Sequence, residues 1–227
     1  MSNRRALPAA VIFDMDGVLV DSNPFHVKKW TDFLRVRQIP HTAEDIARRF
    51  VGIRNEVFLR TYLGSGPGDE EIQRLSDELQ VNFRNDFCPR ARPQPGVVPL
   101  LEELQRQGIP LAVASAARGE DVHALVEAMR LRPYFRCVIT GDEVTRHKPH
   151  PEIYLKAAAS LGVSPATCVA LEDSRVGLES ARRAGMKCVA VLSNPDADGL
   201  LALADLAVRT LEELTFNRLR SLFMGYN

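Results

Sequence analysis

Two aspartates lie two positions apart near the start of the chain, directly after a short apolar run. Residues 11–13 (Val-Ile-Phe) are typical of a buried parallel strand, and Asp14, Asp16 and Gly17 follow them. Carboxylates at the C-terminal end of such a strand can bind a hard cation or attack an electrophile, and the glycine lets the chain turn. A polar turn without chemistry is the alternative for so short a motif. An EF-hand loop is disfavoured because residues 18–20 (Val-Leu-Val) add no oxygen ligands.

Polar side chains also follow three later predicted strands. Ser115 and the acidic pair Glu172 and Asp173 each come directly after an apolar run, and Lys148 lies in a proline-rich loop after another. Taken alone, Ser115 is more typical of a helix cap and a single lysine of a solvated surface, but capping does not explain Glu172. Because parallel strands end at one edge of a sheet, we expect these groups to lie near Asp14. Acids, one lysine and one hydroxyl are what phosphoryl transfer with a hard metal ion requires.

The elements that must position these groups alternate along the chain from residue 93 onward. Short β-branched runs alternate with helical patterns, which predicts right-handed crossovers and a Rossmann-like α/β fold with a mostly parallel sheet. The first strand joins this sheet although a long helical stretch separates it from the others. The predicted strands are residues 11–13, 109–114, 137–140, 168–171, 187–192 and 204–208, and the helices include 69–87, 98–107, 121–129, 153–161 and 176–184.

Between the first two strands the pattern is helical throughout. Apolar residues recur at helical spacing between residues 25 and 87, interrupted by a glycine-rich loop at 64–68. We expect a discontinuous α/β core domain of residues 1–21 and 93–227, with an inserted all-helical cap domain of residues 22–92. The insert leaves the core at the C-terminal end of the first strand, where a lid over a site would lie.

Composition limits the class of partner. With 227 residues, 45% of them hydrophobic, the chain can bury one full core and carry a smaller appended unit. Lysine plus arginine (29) balance aspartate plus glutamate (29), so no basic field favours nucleic acid or an acidic membrane. The four cysteines show no C-x-x-C spacing, and no signal peptide or membrane span is evident. We expect a reduced, cytoplasmic protein and a monomer.

As a set, the four motifs resemble those of the haloacid dehalogenase superfamily, and within it the β-phosphoglucomutase-like branch of phosphatases and phosphomutases. They are residues 14–18 (Asp-Met-Asp-Gly-Val), Ser115, residues 148–149 (Lys-Pro) with Pro151, and residues 172–174 (Glu-Asp-Ser). They occur in the family's order, with the helical insert between the first and the second. The resemblance covers nearly the whole chain and implies Mg²⁺-dependent chemistry on a small phosphorylated metabolite.

The resemblance implies roles for the motif residues. Asp14 would attack phosphorus and form an aspartyl-phosphate. Asp16 would protonate the leaving oxygen and then activate water, so its working pKa should lie nearer neutrality than that of free aspartate. The implied Mg²⁺ ligands are Asp14, the backbone carbonyl of Asp16, and Asp173. Glu172 would either bind the ion directly or accept a hydrogen bond from a group that binds it. The groups that would bind phosphoryl oxygens or other parts of the substrate are Ser115, Ala116, Lys148, His26, Arg54 and Arg118.

The cap distinguishes two functions within the branch. Similar phosphomutases carry a lid arginine just after a glycine and a lysine on a later lid helix. Here the arginine after Gly52 comes one position early, at Arg54, and the lysine position falls on Leu79. Arg54 and Arg118 could still bind a distal phosphate between them. His26 could contact Asp16 or a substrate hydroxyl, with packing on an amphipathic helix as the alternative.

We therefore predict a Mg²⁺-dependent phosphatase that hydrolyses a small phosphorylated metabolite, a sugar phosphate, through an aspartyl-phosphate. A phosphomutase of the β-phosphoglucomutase type is the alternative. A non-catalytic binding protein of the same fold is the second alternative, and it is disfavoured because neither the nucleophile nor a metal-binding acid is missing. Dehalogenation is disfavoured too, since it uses no metal and would leave Asp16, Glu172 and Asp173 without a task.

Overall fold

A parallel sheet lies at the centre of the structure, which is a computed structural model describing residues 7–50, 53–192 and 197–224. Within those ranges the sheet has six strands in the order β3-β2-β1-β4-β5-β6, each parallel to its neighbours. Their bounds are β1 Ala10–Phe13, β2 Leu111–Ala114, β3 Cys137–Ile139, β4 Cys168–Glu172, β5 Lys187–Val191 and β6 Leu206–Val208. The predicted α/β fold with a mostly parallel sheet is confirmed.

The first strand is central, and its register positions the candidate site. Phe13 lies opposite Val113 of β2 on one side and Leu171 of β4 on the other. The residue after Phe13 is Asp14, and the residue after Leu171 is Glu172. The two carboxylates that the sequence places at strand ends therefore emerge side by side at one edge of the sheet.

The segment between β1 and β2 is helical, as predicted, and has an apolar core of its own. Its helices are α1 Asn23–Val36, α2 Ala43–Phe50, α3 Asn55–Leu63 and α4 Asp69–Asn82, and a π-helical turn follows at Phe83–Phe87. Trp30, Leu34, Ile46, Phe58 and Leu59 are buried together between these helices. The domain boundaries after residues 21 and 92 stay predictions, and Gly52 lies outside the described residues.

The remaining helices cover both faces of the sheet. They are α5 Val97–Arg106, α6 Gly119–Ala128, α7 Glu152–Leu161, α8 Arg175–Arg183, α9 Ala197–Leu201 and α10 Phe216–Ser221. Apolar side chains of α7 and α8 pack on one face of the sheet, and those of α5, α6 and α10 pack on the other. These two layers hold the strand ends in fixed positions.

Two predicted strands begin two residues later than the sequence suggested: β2 at Leu111 instead of residue 109, and β6 at Leu206 instead of residue 204. Ile109 was expected in β2, but β2 starts at Leu111 because the Ile109 N–H is hydrogen-bonded to the C-terminal end of α5. Gly108 adopts a left-handed φ of 71°, and the Ile109 N–H donates to the Leu104 carbonyl at 3.0 Å. Ile109 is therefore the buried apolar residue that follows the glycine at the C-terminus of a helix.

No helix in the described ranges is long and apolar enough to cross a membrane. Each of the four cysteines is a free thiol. The cytoplasmic location and the monomeric state stay predictions.

Candidate active site

A buried lysine joins two carboxylates at the edge of the sheet. Lys148 Nζ donates to Asp14 Oδ1 at 2.7 Å, to Glu172 Oε1 at 2.6 Å and to the Ala114 carbonyl at 3.1 Å. The Lys148 side chain is only 3% exposed, and that of Glu172 is fully buried. The structure thus brings together side chains from three of the four sites that the sequence selected, namely Asp14, Lys148 and Glu172.

Glu172 is held on both of its oxygens. Tyr154 donates its hydroxyl to Oε1 at 2.6 Å, and Ser174 donates to Oε2 at 3.0 Å. A Cβ on Gly177 would lie 2.0 Å from this carboxylate, so the absence of a side chain there leaves the space that Glu172 occupies. Glu172 is thereby fixed against Lys148, and its predicted role as a direct metal ligand stays a prediction.

The pKa values of this group reflect burial and mutual charge. Burial raises the pKa of Asp14 well above its ordinary value, Glu172 raises it further, and Lys148 offsets only part of this. Burial lowers the pKa of Lys148, but the carboxylates of Asp14 and Glu172 outweigh it, so the net shift is upward. Burial followed by the charge of Glu172 raises the pKa of Tyr154, which keeps its hydroxyl a donor. The lysine therefore stays charged in a site with more acids than bases.

Three acids form a group that suits a hard cation. One carboxylate oxygen from each of Asp14, Glu172 and Asp173 lies within 4.8 Å of the other two, and all three side chains are buried. A Cβ on Gly17 (φ 76°) would lie 1.8 Å from Asp173 Oδ2, so only glycine lets this loop approach the acid. Asn23 donates to the same oxygen at 2.6 Å. An all-oxygen donor set of this kind fits Mg²⁺ better than a softer metal.

Asp16 lies next to these acids but faces the cap. Its Oδ1 accepts a hydrogen bond from Ser22, and Nε2 of His26 lies 3.6 Å away. Burial raises the pKa of Asp16, but the interactions with His26 and Ser22 outweigh it, so the pKa lies below its ordinary value. Without substrate, two neighbouring donors therefore favour the carboxylate, and the expected shift of the working pKa toward neutrality stays a prediction.

Ser115 is fully buried below the site. Its hydroxyl oxygen accepts a hydrogen bond from the Ala117 N–H at 3.2 Å, which is a local turn contact and not the helix cap offered as the alternative, since Arg118 is the N-cap of α6. Ala116 and Lys148 line the cavity between cap and core. The predicted binding of phosphoryl oxygens by these residues stays a prediction.

The two arginines expected to bind substrate also line this cavity, and a carboxylate lies between them. Arg54 Nε lies 3.2 Å from Glu56 Oε2, and Arg118 Nη2 lies 3.3 Å from Glu56 Oε1. Arg118 also pairs with Asp77, and Arg54 donates to His147 Nε2 at 2.7 Å. Both guanidinium groups are therefore already bound by side chains of the protein.

The comparisons with known proteins agree with this site. The sequence model of the haloacid dehalogenase-like hydrolase family matches residues 11–191. The chain belongs to this family.

Its relatives include phosphatases and a phosphomutase. Hexitol phosphatase B of Escherichia coli strain K12 is 32% identical over 226 residues, which are 95% of this chain and 97% of that protein. β-Phosphoglucomutase of Bacillus subtilis strain 168 is 30% identical over 224 residues, 96% of each chain. The crystal structure of CbbY from Rhodobacter sphaeroides in complex with phosphate is 28% identical, covers 92% of this chain and 96% of that one, and gives a TM-score of 0.75. The predicted family and the prediction of an enzyme are confirmed.

This haloacid dehalogenase-like hydrolase also contains a series of hydrogen-bonded polar side chains that the sequence motifs did not predict. Lys29 and Trp30 donate to Asn55 Oδ1 at 3.2 and 2.9 Å, and Asn55 Nδ2 donates to Gln80 at 3.0 Å. Gln80 in turn donates to Asp121 of the core. The sequence held one signal: a lysine among the apolar positions of α1, one turn after His26. The partners come from distant segments and could not be assigned in advance.

Proposed function

We propose that this hydrolase is a Mg²⁺-dependent phosphatase that removes the phosphate from a small phosphorylated metabolite, a sugar phosphate, through an aspartyl-phosphate on Asp14. The observation that carries the proposal is the buried Lys148 ammonium, which contacts both Asp14 and Glu172 at the edge of the cavity. A cation that orients a buried carboxylate is what a carboxylate nucleophile for phosphorus requires.

The proposed reaction assigns a role to each acid of the site. Lys148 binds Asp14 Oδ1, so we assign Oδ2 as the oxygen that bonds to phosphorus while the bond to the leaving oxygen breaks. In the complex with substrate, Asp16 carries a proton and gives it to that oxygen, then accepts a proton from the water that cleaves the acyl phosphate and releases inorganic phosphate. Asp14, Asp173, the backbone carbonyl of Asp16 and Glu172 would hold Mg²⁺. The ion supplies positive charge that stabilises the transferring phosphoryl group.

Glu56 favours the phosphatase over the phosphomutase. A mutase must bind a phosphate at the far end of its substrate, which calls for unneutralised cations in the cap. Here Glu56 pairs with both Arg54 and Arg118. Burial raises the pKa of Glu56, but its hydrogen bonds to its own backbone N–H and to Ser76, together with Arg54, outweigh it and keep the pKa below its ordinary value. An ionised Glu56 competes with a second phosphate for both arginines.

Two observations support a sugar-like substrate. The names of the relatives refer to a hexitol and to phosphoglucose, both of which carry several hydroxyls. The cap side of the cavity presents Asn55, Ser76 and Gln80 beside the ring of Trp30. Amide and hydroxyl groups around an aromatic face are suited to recognise a small polyol.

The deciding experiment measures phosphate release from a panel of phosphorylated sugars and nucleotides with and without Mg²⁺. We expect release from sugar phosphates, loss of activity with a chelator, recovery with Mg²⁺ and inhibition by Ca²⁺, whose longer bonds and larger ligand number suit the site less well. Full activity in Ca²⁺ or in chelator would contradict the proposed metal chemistry.

The phosphomutase remains the second candidate, because Arg54 and Arg118 do face the same cavity. Its test supplies β-glucose 1-phosphate with a trace of the 1,6-bisphosphate and follows glucose 6-phosphate and free phosphate together. Isomerisation faster than phosphate release would show that the protein is a phosphomutase and not a phosphatase.

We also propose that residues 22–92 act as a lid. Cap and core are joined by the pairs of Arg118 with Asp77 and of Arg84 with Glu120, and the two connecting segments meet where the Gln94 N–H donates to the Leu19 carbonyl at 2.9 Å. Identical X-ray scattering with and without Mg²⁺ and a metal fluoride phosphate analogue would count against lid movement.

A further inference from the structure

A buried lysine in the cap has no carboxylate partner. Lys29 on α1 is 7% exposed, and within the described ranges no carboxylate oxygen lies within 4.0 Å of its Nζ. Its polar contacts are His26 Nδ1 at 3.2 Å and Asn55 Oδ1 at 3.2 Å. A buried ammonium without a counter-ion is costly, so its presence beside the cavity points to a task other than stability.

The hydrogen-bonding capacity of the Lys29 ammonium determines which ring nitrogen of His26 carries the hydrogen. A lysine ammonium has three donors and no acceptor, so Nδ1 of His26 must accept the hydrogen bond. A neutral imidazole that accepts at Nδ1 carries its hydrogen on Nε2. That nitrogen lies 3.6 Å from Asp16 Oδ1, the side chain assigned to protonate the leaving oxygen.

We propose that Lys29 is a positioning residue that holds His26 in the Nε2–H tautomer and so makes it a donor toward Asp16. The inference rests on the proposed function for its catalytic consequence, but not for the tautomer itself. With Nδ1 accepting from Lys29, the ring nitrogen that lies nearest Asp16 carries a hydrogen, so His26 is a donor toward that carboxylate and restricts its orientation. Asp16 is thereby held in position to serve the leaving oxygen.

Two further features fit this role. Burial lowers the pKa of Lys29 to about 8, with the more distant carboxylates of Asp16, Asp121 and Glu56 offsetting part of the effect, so the side chain remains mainly an ammonium at neutral pH. The ring of His26 also stacks on Phe83 with centroids 4.9 Å apart, which restricts its rotation. The imidazole is therefore fixed both in orientation and in the placement of its hydrogen.

The tautomer is tested directly by ¹⁵N NMR of histidine-labelled enzyme, with the His26 signals assigned by their loss in His26→Gln. We expect Nε2 of His26 to carry the hydrogen in the wild type. In Lys29→Met we expect the Nδ1 signal to shift because its donor is gone. The matched control is Lys28→Met, since Lys28 is the preceding residue, its side chain is 74% exposed and it pairs with Asp32 on the surface. An Nδ1–H tautomer in the wild type would overturn the proposal, and so would an unchanged spectrum in folded Lys29→Met.

A kinetic test compares two substrates whose leaving groups differ in their need for a proton. The sugar oxygen of glucose 6-phosphate needs an acid, whereas p-nitrophenolate leaves without one. We expect Lys29→Met to lower kcat/KM for glucose 6-phosphate about tenfold more than for p-nitrophenyl phosphate, a fraction of the usual effect of general acid catalysis. Lys28→Met should leave the ratio unchanged.

Equal losses on both substrates would show that Lys29 is merely structural. If the wild type hydrolyses neither substrate in Mg²⁺, the phosphatase proposal fails, while the NMR result still decides the tautomer.

Discussion

Two lysines in the described part of the chain have buried side chains, one in the core and one in the cap, and their pKa values are shifted in opposite directions. The side chain of Lys148 is 3% exposed and Lys29 as a whole residue is 7% exposed, so both side chains are largely removed from water. Burial lowers the pKa of each, but Asp14 and Glu172 reverse the shift for Lys148, whereas the pKa of Lys29 falls to about 8. Burial alone therefore does not determine the pKa of a lysine, which depends also on the distance to carboxylates.

The difference separates two uses of the same side chain. Lys148 compensates acids that would otherwise repel one another, so both the site and the fold depend on it. Lys29 has no carboxylate oxygen within 4.0 Å among the described residues and serves as a donor to His26 and Asn55. The core lysine should thus matter for stability and the cap lysine mainly for the direction of hydrogen bonds.

The largest expected effect comes from changing an acid that Lys148 contacts. Asp14→Asn keeps the shape of the side chain and can still accept from Lys148, but an amide cannot attack phosphorus. We expect the rate of phosphate release to fall by about 10⁴-fold or more, with an unchanged circular dichroism spectrum. Retention of more than about a tenth of the activity would show that Asp14 is not the nucleophile, since loss of a nucleophile costs several powers of ten.

Removing each lysine tests the comparison itself. Lys148→Met leaves two buried carboxylates without their cation, and we expect the free energy of unfolding to fall by about 3–5 kcal/mol in urea with a chelator present. Lys29→Met removes a cation that has no counter-ion, and we expect a loss of at most about 1 kcal/mol. Lys156→Met, at a partly exposed pair with Glu143, is the surface control. Equal losses for the two buried positions would refute the distinction.

The stability that depends on Lys29 should vary with pH. Its pKa is about 8 in the folded chain against an ordinary value of 10.5, so the unfolded chain binds more protons between these two values. The stability of the wild type relative to Lys29→Met should therefore rise with pH across this window, by about 3 kcal/mol in total. Urea unfolding of both proteins from pH 8 to 10.5 measures it. A constant difference would mean that Lys29 keeps an ordinary pKa.

The smallest effect concerns the paired arginines of the cavity. Glu56→Gln removes the carboxylate shared by Arg54 and Arg118, and we expect glucose 1,6-bisphosphate to inhibit about tenfold more strongly, which corresponds to about 1.4 kcal/mol. Glu102→Gln, on the exposed face of α5, is the control. Unchanged inhibition by the bisphosphate would show that Glu56 does not limit access to the arginines.

The core of the site could be predicted from sequence because its residues follow strands directly. In a parallel sheet the residues after each strand reach the same edge, so Asp14 and Glu172 were bound to meet once the strands were recognised. Lys148 could be added because prolines fix its loop beside that edge. Local sequence thus contained most of the information that this half of the site needs.

The cap half could not be predicted in the same way. Arg54 and Arg118 were expected to bind substrate, but their pairing with Glu56 depends on how α3 meets the loop before α6. The lowered pKa of Asp16 likewise depends on two donors, Ser22 and His26, whose orientation only the folded chain fixes. Contacts between helices are set by packing angles that residue spacing alone does not specify.

The central position of β1 has a consequence for how the protein is made. This strand leaves the ribosome before the other five, but it lies between Leu111 of β2 and Val169 of β4, which are synthesised much later. The apolar core of the helical insert, in contrast, is complete once Leu79 has been added. During most of translation the nascent chain therefore carries an apolar strand with two open edges. That interval is when it is most exposed to aggregation and most dependent on chaperones.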